Sequence, residues 1–241
     1  MPITDAADPP PRREIAPPEE DPNAIIQCAS PPCFLHELDP SWLGVMAWPE
    51  VRAWRRARRQ ALIADRLAAP REAREVRDAA ITPRLSAMLP APDGRLLGFY
   101  WPFRGEYDPR PLARALHAAG MRLALPVVLA KGTPMIFRPW SPGTRLVPGI
   151  WDIPIPADGE AVVPDMLLVP LVGFDLGGYR LGHGGGYYDR TLAAMAKRPF
   201  AIGVGFDQGG LTTIHPQPHD IPMDAIVTES RTIALRHAAG A

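Results

Sequence analysis

The chain has little with which to staple itself, cross a membrane or hold a polyanion by bulk charge. Cysteine occurs twice in 241 residues, at Cys28 and Cys33, too few for a disulfide framework. Cys28, Cys33 and His36 offer three zinc donors where a structural site needs four at tighter spacing, so buried thiols and a capping histidine are the expected state. The longest apolar runs, such as MLLVPLVGF at 166–174, fall well short of the ~20 residues that span a bilayer. No basic-then-apolar leader pattern opens the sequence. Charge of one sign is lacking too, since 26 Lys and Arg meet 26 Asp and Glu, and no net field draws the chain to nucleic acid or anionic lipid. We therefore expect a soluble cytoplasmic protein, read as a monomer, with neither membrane nor nucleic acid as partner.

Lysine is nearly missing as well, confined to Lys131 and Lys197, so arginine must serve wherever this chain needs a cation. Proline is plentiful at 31 residues, and apolar residues at 46% suffice for a substantial core. Residues 1–24 are proline-rich and acidic with almost nothing to bury, which predicts a disordered tail. Residues 25–48 alternate apolar anchors with Pro and Gly, as in an arm packed on a surface, and a single domain is expected over 49–241.

Within that domain, helices are predicted over 49–68 and 71–88, then strand 95–101, helix 111–120, strands 121–129 and 135–140, and a continuous apolar strand over 164–172. A helix over 187–198, a strand over 200–206 and a last strand over 225–235 complete the pattern. Strand, helix and strand at these lengths imply an α/β fold with a mainly parallel sheet between helices. The run at 164–172 suits a strand covered on both faces.

Three stretches carry chemistry. Arg52, Arg55, Arg59 and Arg66 fall within about 60° of one another on the first helix. Such a stripe can bind phosphate, line a solvated face or track nucleic acid, although the aromatic interleaving of a single-strand platform is absent. In RLGHGGGYYDR (180–190) three glycines run straight into a helix between two arginines and an aspartate. The stretch is neither a Walker loop nor a dinucleotide fingerprint. Free amides at a helix start, reached through backbone without side chains, form an anion site, and Arg180 and Arg190 add positive charge. Asp189, in the first turn, can hold a phosphate-bound Mg²⁺ or merely complement the helix dipole. In HPQPHD (215–220) the prolines forbid a helical histidine pair, which leaves Asp220 as a possible oxygen ligand.

The run PDMLLVPLVGFDLGGYRLGHGGGYYDRTL (164–192) resembles the signature of the 5-formyltetrahydrofolate cyclo-ligase family. Weaker matches extend the resemblance from about Arg55 to Glu229, through the basic helix, YWPFRGEYD, LPVV, MIF and HDIPMDAIVTE. The resemblance implies an open three-layer α/β sandwich with a mainly parallel sheet, of the type shared with sugar-phosphate isomerases and CoA transferases. It implies an ATP-dependent ligase that closes 5-formyltetrahydrofolate into 5,10-methenyltetrahydrofolate through a phosphorylated formyl intermediate, with ADP and phosphate released. By the same resemblance, ATP would meet Arg55, Arg59, Arg180 and the loop Gly182, His183, Gly184, Gly185, Gly186, Tyr187 and Tyr188. Arg180, Gly185 and Tyr188 would serve the chemistry. The folate would meet Trp101, Glu106 and the loop from His183 to Tyr187, and Asp189 and Asp220 would hold Mg²⁺. Two rivals stand beside this expectation: a paralogue phosphorylating another acceptor, and a nucleotide- or RNA-binding regulatory module that uses the arginine stripe.

Overall fold

Two helices, each with a buried face, open the domain. In the computed structural model, which describes residues 46–235, α1 (Trp48–Ala68) is followed across Pro70 by α2 (Arg71–Met88). The expected tail and all but the end of the expected arm, with Cys28, Cys33 and His36, lie outside the described residues. Within the described residues, the compact unit begins at Ala47. Pro49 occupies the first turn of α1, and the Glu50 carboxylate accepts a hydrogen bond from the Ala47 N–H at 2.9 Å.

The chain then runs through β1 (Leu96–Gly98), α3 (Arg110–Ala118), β2 (Arg122–Val127) and β3 (Ile136–Trp140). A small hairpin of β4 (Leu146–Pro148) and β5 (Pro154–Pro156) precedes β6 (Met166–Pro170). Next come β7 (Gly173–Phe174), β8 (Arg180–Leu181), α4 (Tyr187–Ala194), β9 (Phe200–Val204), β10 (Ala225–Val227) and β11 (Thr232–Ala234). Seven strands form the main sheet in the order β11-β10-β9-β6-β1-β2-β3. The five inner strands are parallel, and β3 and β11 close the edges antiparallel.

Strand alternation divides the core into two layers. Leu97, Leu123, Leu125, Leu168 and Ile202 pack with Ile81 and Leu85 of α2 and Leu112 of α3. Leu96, Ala124, Leu167, Val169 and Ala201 point the other way and pack with Leu192 of α4. Helices thus cover both faces of a mainly parallel sheet, the three-layer arrangement expected.

Two local features depart from expectation. Residues 225–235 form an antiparallel hairpin rather than one strand, because Thr228 turns the chain by bonding Arg231. The pairs β4–β5 and β7–β8 carry too few residues to show strand periodicity, and the prolines of the first mask it further.

The strand order reverses at one place. From β1 the chain moves outward through β2 and β3, then returns to the other side of β1 with β6 and continues outward through β9 and β10. In open α/β sheets a crevice forms beyond the carboxyl ends of the strands at such a switch point. The turns after β1 and β6 therefore mark where a ligand belongs.

A carboxylate on α2 opposes this packing. Burial raises the pKa of Asp78 to about 6; a hydrogen bond from the Asp108 N–H lowers it and the Asp108 charge raises it. Its Oδ1 is buried without a partner among the described residues. A raised folded-state pKa contributes stability that is fully present below the ordinary value of 3.8 and is lost as pH rises through about 6. Asp78→Asn should therefore stabilise the protein at pH 7.5, by about 1–2 kcal/mol once partial solvent screening is allowed for. Thermal melts across pH check this: the gain should shrink towards zero below about pH 4. A gain independent of pH would count against it.

Candidate functional site

Beyond the carboxyl ends of β1, β2 and β6 lies a cavity of about 860 Å³, towards the upper end of the ~300–1,000 Å³ usual for small-molecule sites. Every site residue expected from the sequence lines it: Arg55 and Arg59 on α1, Trp101 and Glu106 after β1, Arg180 on β8, the loop and helix start from Gly182 to Asp189, and Asp220.

The arginine stripe of α1 proves to be its inward face. Val51, Arg55, Leu62 and Arg66 are buried at helical spacing, which excludes a solvated face for Arg55 and Arg66. Arg52, by contrast, is exposed and lies over the Trp48 ring at 5.9 Å. Arg55 donates from Nε to the Ile214 carbonyl at 3.0 Å and from Nη2 to the His215 carbonyl at 2.8 Å. It also holds Asp220 by a two-pronged ion pair, 2.5 Å from Nη2 to Oδ2 and 3.3 Å from Nη1 to Oδ1. Asp220 Oδ2 accepts the Gln217 N–H as well, at 2.7 Å. Arg55, expected to meet ATP, and Asp220, expected to hold Mg²⁺, engage each other in this structure, because α1 lies against the proline-rich loop and brings opposite charges together.

Arg59 stands otherwise. Its guanidinium lies along Gly184, where an added Cβ would meet Cζ at 3.6 Å, and its Nε is buried without a partner among the described residues. Burial lowers its pKa, and the positive charge of Arg55 lowers it further. A half-buried cation with an unsatisfied donor can seat an anion.

The loop it faces owes its shape to glycine. Gly184 and Gly186 hold φ of +94° and +63°, and Gly186 is the left-handed residue from which α4 starts. Arg190 reaches back from α4 to the Gly185 carbonyl and lies over the Tyr187 ring at 5.2 Å, closing the loop on itself. Arg180, 7% exposed, donates from Nη1 to the Ile221 carbonyl at 2.8 Å and pairs through Nη2 with Asp189 Oδ1 at 3.1 Å. That same oxygen accepts the Ile221 N–H at 3.0 Å. Among the described residues, Asp189 Oδ2 receives no hydrogen bond.

Glu106 enters from the opposite wall, 9% exposed. Its Oε2 accepts the Phe103 N–H at 2.9 Å and its Oε1 accepts from His183 Nε2 at 2.9 Å. With Nε2 donating, His183 Nδ1 is left as a buried acceptor without a partner among the described residues. Burial raises the Tyr188 pKa and the Glu106 charge raises it further, so the phenol stays protonated. Trp101 is braced by Arg110, whose guanidinium lies 4.9 Å from the ring centre.

Among the lining residues not foreseen are two aromatic ones, Trp151 and Phe103. Trp151 is 55% exposed with φ of +58°, stacks on Phe103 at 6.5 Å and meets Tyr187 edge-on at 5.9 Å. A large ring held outward in a left-handed conformation is strained and ill-hidden, which suggests a platform for a flat ligand. Trp151 and Phe103 lie in proline-bounded loops without periodicity; nothing in the sequence marks Trp151, and Phe103 stands within YWPFRGEYD without a role read for it.

Fold and site together define an α/β enzyme whose switch-point crevice joins an arginine-lined glycine loop to an aromatic wall carrying a buried carboxylate. The chain belongs to the 5-formyltetrahydrofolate cyclo-ligase family, whose model matches residues 51–229. It is 34% identical over 184 residues to the 5-formyltetrahydrofolate cyclo-ligase of Escherichia coli K12, across 73% of this chain and 97% of that one. To the enzyme of the same name from Mycolicibacterium smegmatis it is 35% identical over 191 residues, across 74% and 95%. The solved 5,10-methenyltetrahydrofolate synthetase of Aquifex aeolicus superposes with a TM-score of 0.65 at 28% identity, over 78% of this chain and 95% of that one.

Proposed function

We propose that this ligase-family chain uses ATP to cyclise 5-formyltetrahydrofolate to 5,10-methenyltetrahydrofolate, releasing ADP and phosphate. The observation that carries the reading is the Arg59 guanidinium laid along Gly184, its Nε without a partner among the described residues, in one cavity with the buried Glu106. A formamide is a poor electrophile because its nitrogen lone pair is delocalised into the carbonyl. Its oxygen attacks the γ-phosphorus and ADP departs. The neighbouring arylamine nitrogen then attacks the activated formyl carbon, phosphate leaves with that oxygen, and loss of the amine proton leaves the methenyl bridge.

The chain's own groups align and neutralise. Arg59 and the backbone amides from Gly182 to Gly186 take the phosphate oxygens, and Arg180, braced by Asp189, adds charge behind them. Gly185 gives the nucleotide close approach, and Tyr188, still protonated, donates to oxygen. Trp101, Phe103, Trp151 and Tyr187 wall the flat ring, and Glu106 accepts its N–H groups. The loop from His183 to Tyr187 serves both substrates.

Among the described residues no cluster of three His, Cys, Asp or Glu side chains can hold a metal unaided. Mg²⁺ binds through one or two carboxylates plus phosphate oxygens, so the donor set still fits. Asp189, whose Oδ2 receives no hydrogen bond among the described residues, would hold the ion, and Asp220 would join once released from Arg55. When bound, the ion supplies charge neutralisation at the transferring phosphate. All these groups belong to one chain and one cavity, which supports action as a monomer. Dependence on ATP and a sequence with two cysteines support a cytoplasmic location. Among the described residues no helix is long and apolar enough to cross a membrane.

The test is the appearance of methenyl-product absorbance with ATP, Mg²⁺ and 5-formyltetrahydrofolate. Glu106→Gln should raise KM for the folate by about tenfold with little change in KM for ATP, as loss of a charged hydrogen-bond partner implies. Absence of methenyl product from the parent enzyme would sink the reading, and equal changes in both constants would move Glu106 out of the folate pocket.

A further inference from the structure

The proposed reaction leaves one buried arginine of α1 without a task. Arg66 is 3% exposed, and its guanidinium joins the two turns at the switch point. Nε donates to the Arg104 carbonyl, after β1, at 3.0 Å, and Nη1 to the Leu171 carbonyl, after β6, at 3.3 Å. Nη2 is buried with no partner, and no carboxylate pairs directly with the guanidinium, among the described residues. Isolating a guanidinium in this way is unfavourable, and an apolar side chain would fill the space at less cost.

What Arg66 holds suggests why it is there. The turn it grips has two consecutive left-handed residues, Arg104 at φ +49° and Gly105 at φ +71°. Such a conformation persists only where the surroundings enforce it. The turn leads directly into Glu106, whose N–H donates to the Phe103 carbonyl at 3.2 Å while its carboxylate accepts the Phe103 N–H. Burial lowers the Arg66 pKa, and the Glu106 charge works against that lowering, so the two charges act on each other. Glu106 is also faced by His183 before α4, by Tyr100 beyond β1 and by Tyr188 on α4. Arg66 is the permanent cation in that set.

We propose that Arg66 is a positioning residue for folate recognition: it pins the 103–106 turn across the switch point and supplies the fixed charge that sets Glu106 for the substrate, while His183 holds the carboxylate from the cavity side. The inference rests on the proposed folate reaction and goes beyond it by assigning recognition to a residue outside the cavity wall.

The experiment is a double-mutant cycle on the full chain with steady-state kinetics for both substrates. Arg66→Met in the parent should raise KM for 5-formyltetrahydrofolate by about five- to tenfold, with KM for ATP changed less than about twofold. Arg66→Lys keeps the charge without the fork and should recover part of that loss. In the Glu106→Gln background Arg66→Met should add less than about twofold, because the interaction is already gone. Melting curves identify the folded variants, and Arg66→Lys serves if Arg66→Met does not fold. Additive effects, equal changes in both KM values, or no difference between Lys and Met would overturn the inference while leaving the folate reaction standing. No methenyl product from the parent would overturn both.

Discussion

Gly185→Ala is expected to lower kcat/KM by about 10²-fold or more while the protein still folds. The residue has no positive φ, so alanine's backbone is permitted there, and the damage is steric. An added Cβ would fall 2.7 Å from both Cδ2 and Cε2 of Tyr187, nearer than real contacts allow. The tyrosine ring cannot slide aside freely, since Arg190 lies over one face and Trp151 meets it edge-on. It must swing out of the cavity wall and take the loop's shape with it. Small displacements of aligned reactants are costly in rate. Initial rates measured across a range of ATP and folate concentrations, beside a melting curve, check this. Parental kinetics in a folded variant would show that the three glycines make only a loop.

Arg59→Met is expected to raise KM for ATP by about 10- to 100-fold, as loss of a charge-assisted hydrogen bond implies. The same change should leave the melting temperature level or higher, because it removes a half-buried cation whose Nε has no partner among the described residues. The opposed directions separate a ligand-binding arginine from a structural one. A fall in stability with unchanged KM would reverse the assignment. Arg55 supplies the contrast: its substitution leaves Asp220 buried without its counter-ion, so stability should suffer there.

Much of the fold was legible because its signals are local. The apolar run at 164–172 and the glycine ending the helix before Met121 depend on neighbours in sequence, and β6 and α3 formed where they indicated. The glycine stretch could likewise be read as a loop entering a helix, since three successive residues without side chains have few other uses. The two short hairpins were not legible, because strands of two or three residues carry no period.

The sequence by itself determined the chemistry available: an Arg-rich, Lys-poor chain, an α/β alternation, a glycine loop at a helix start, and an acid in YWPFRGEYD. Only the tertiary structure decided how those groups are divided among themselves. Four arginines at helical spacing look alike in one dimension. Packing sends Arg55 to Asp220, leaves Arg59 open along Gly184, buries Arg66 under the switch point and lets Arg52 face outward. Helix periodicity sets which side chains share a face, but a guanidinium's partner depends on which loop arrives opposite. Asp220 and Leu171 lie 165 and 105 residues from the arginines they meet. Such meetings are products of sheet order, and no local pattern records them.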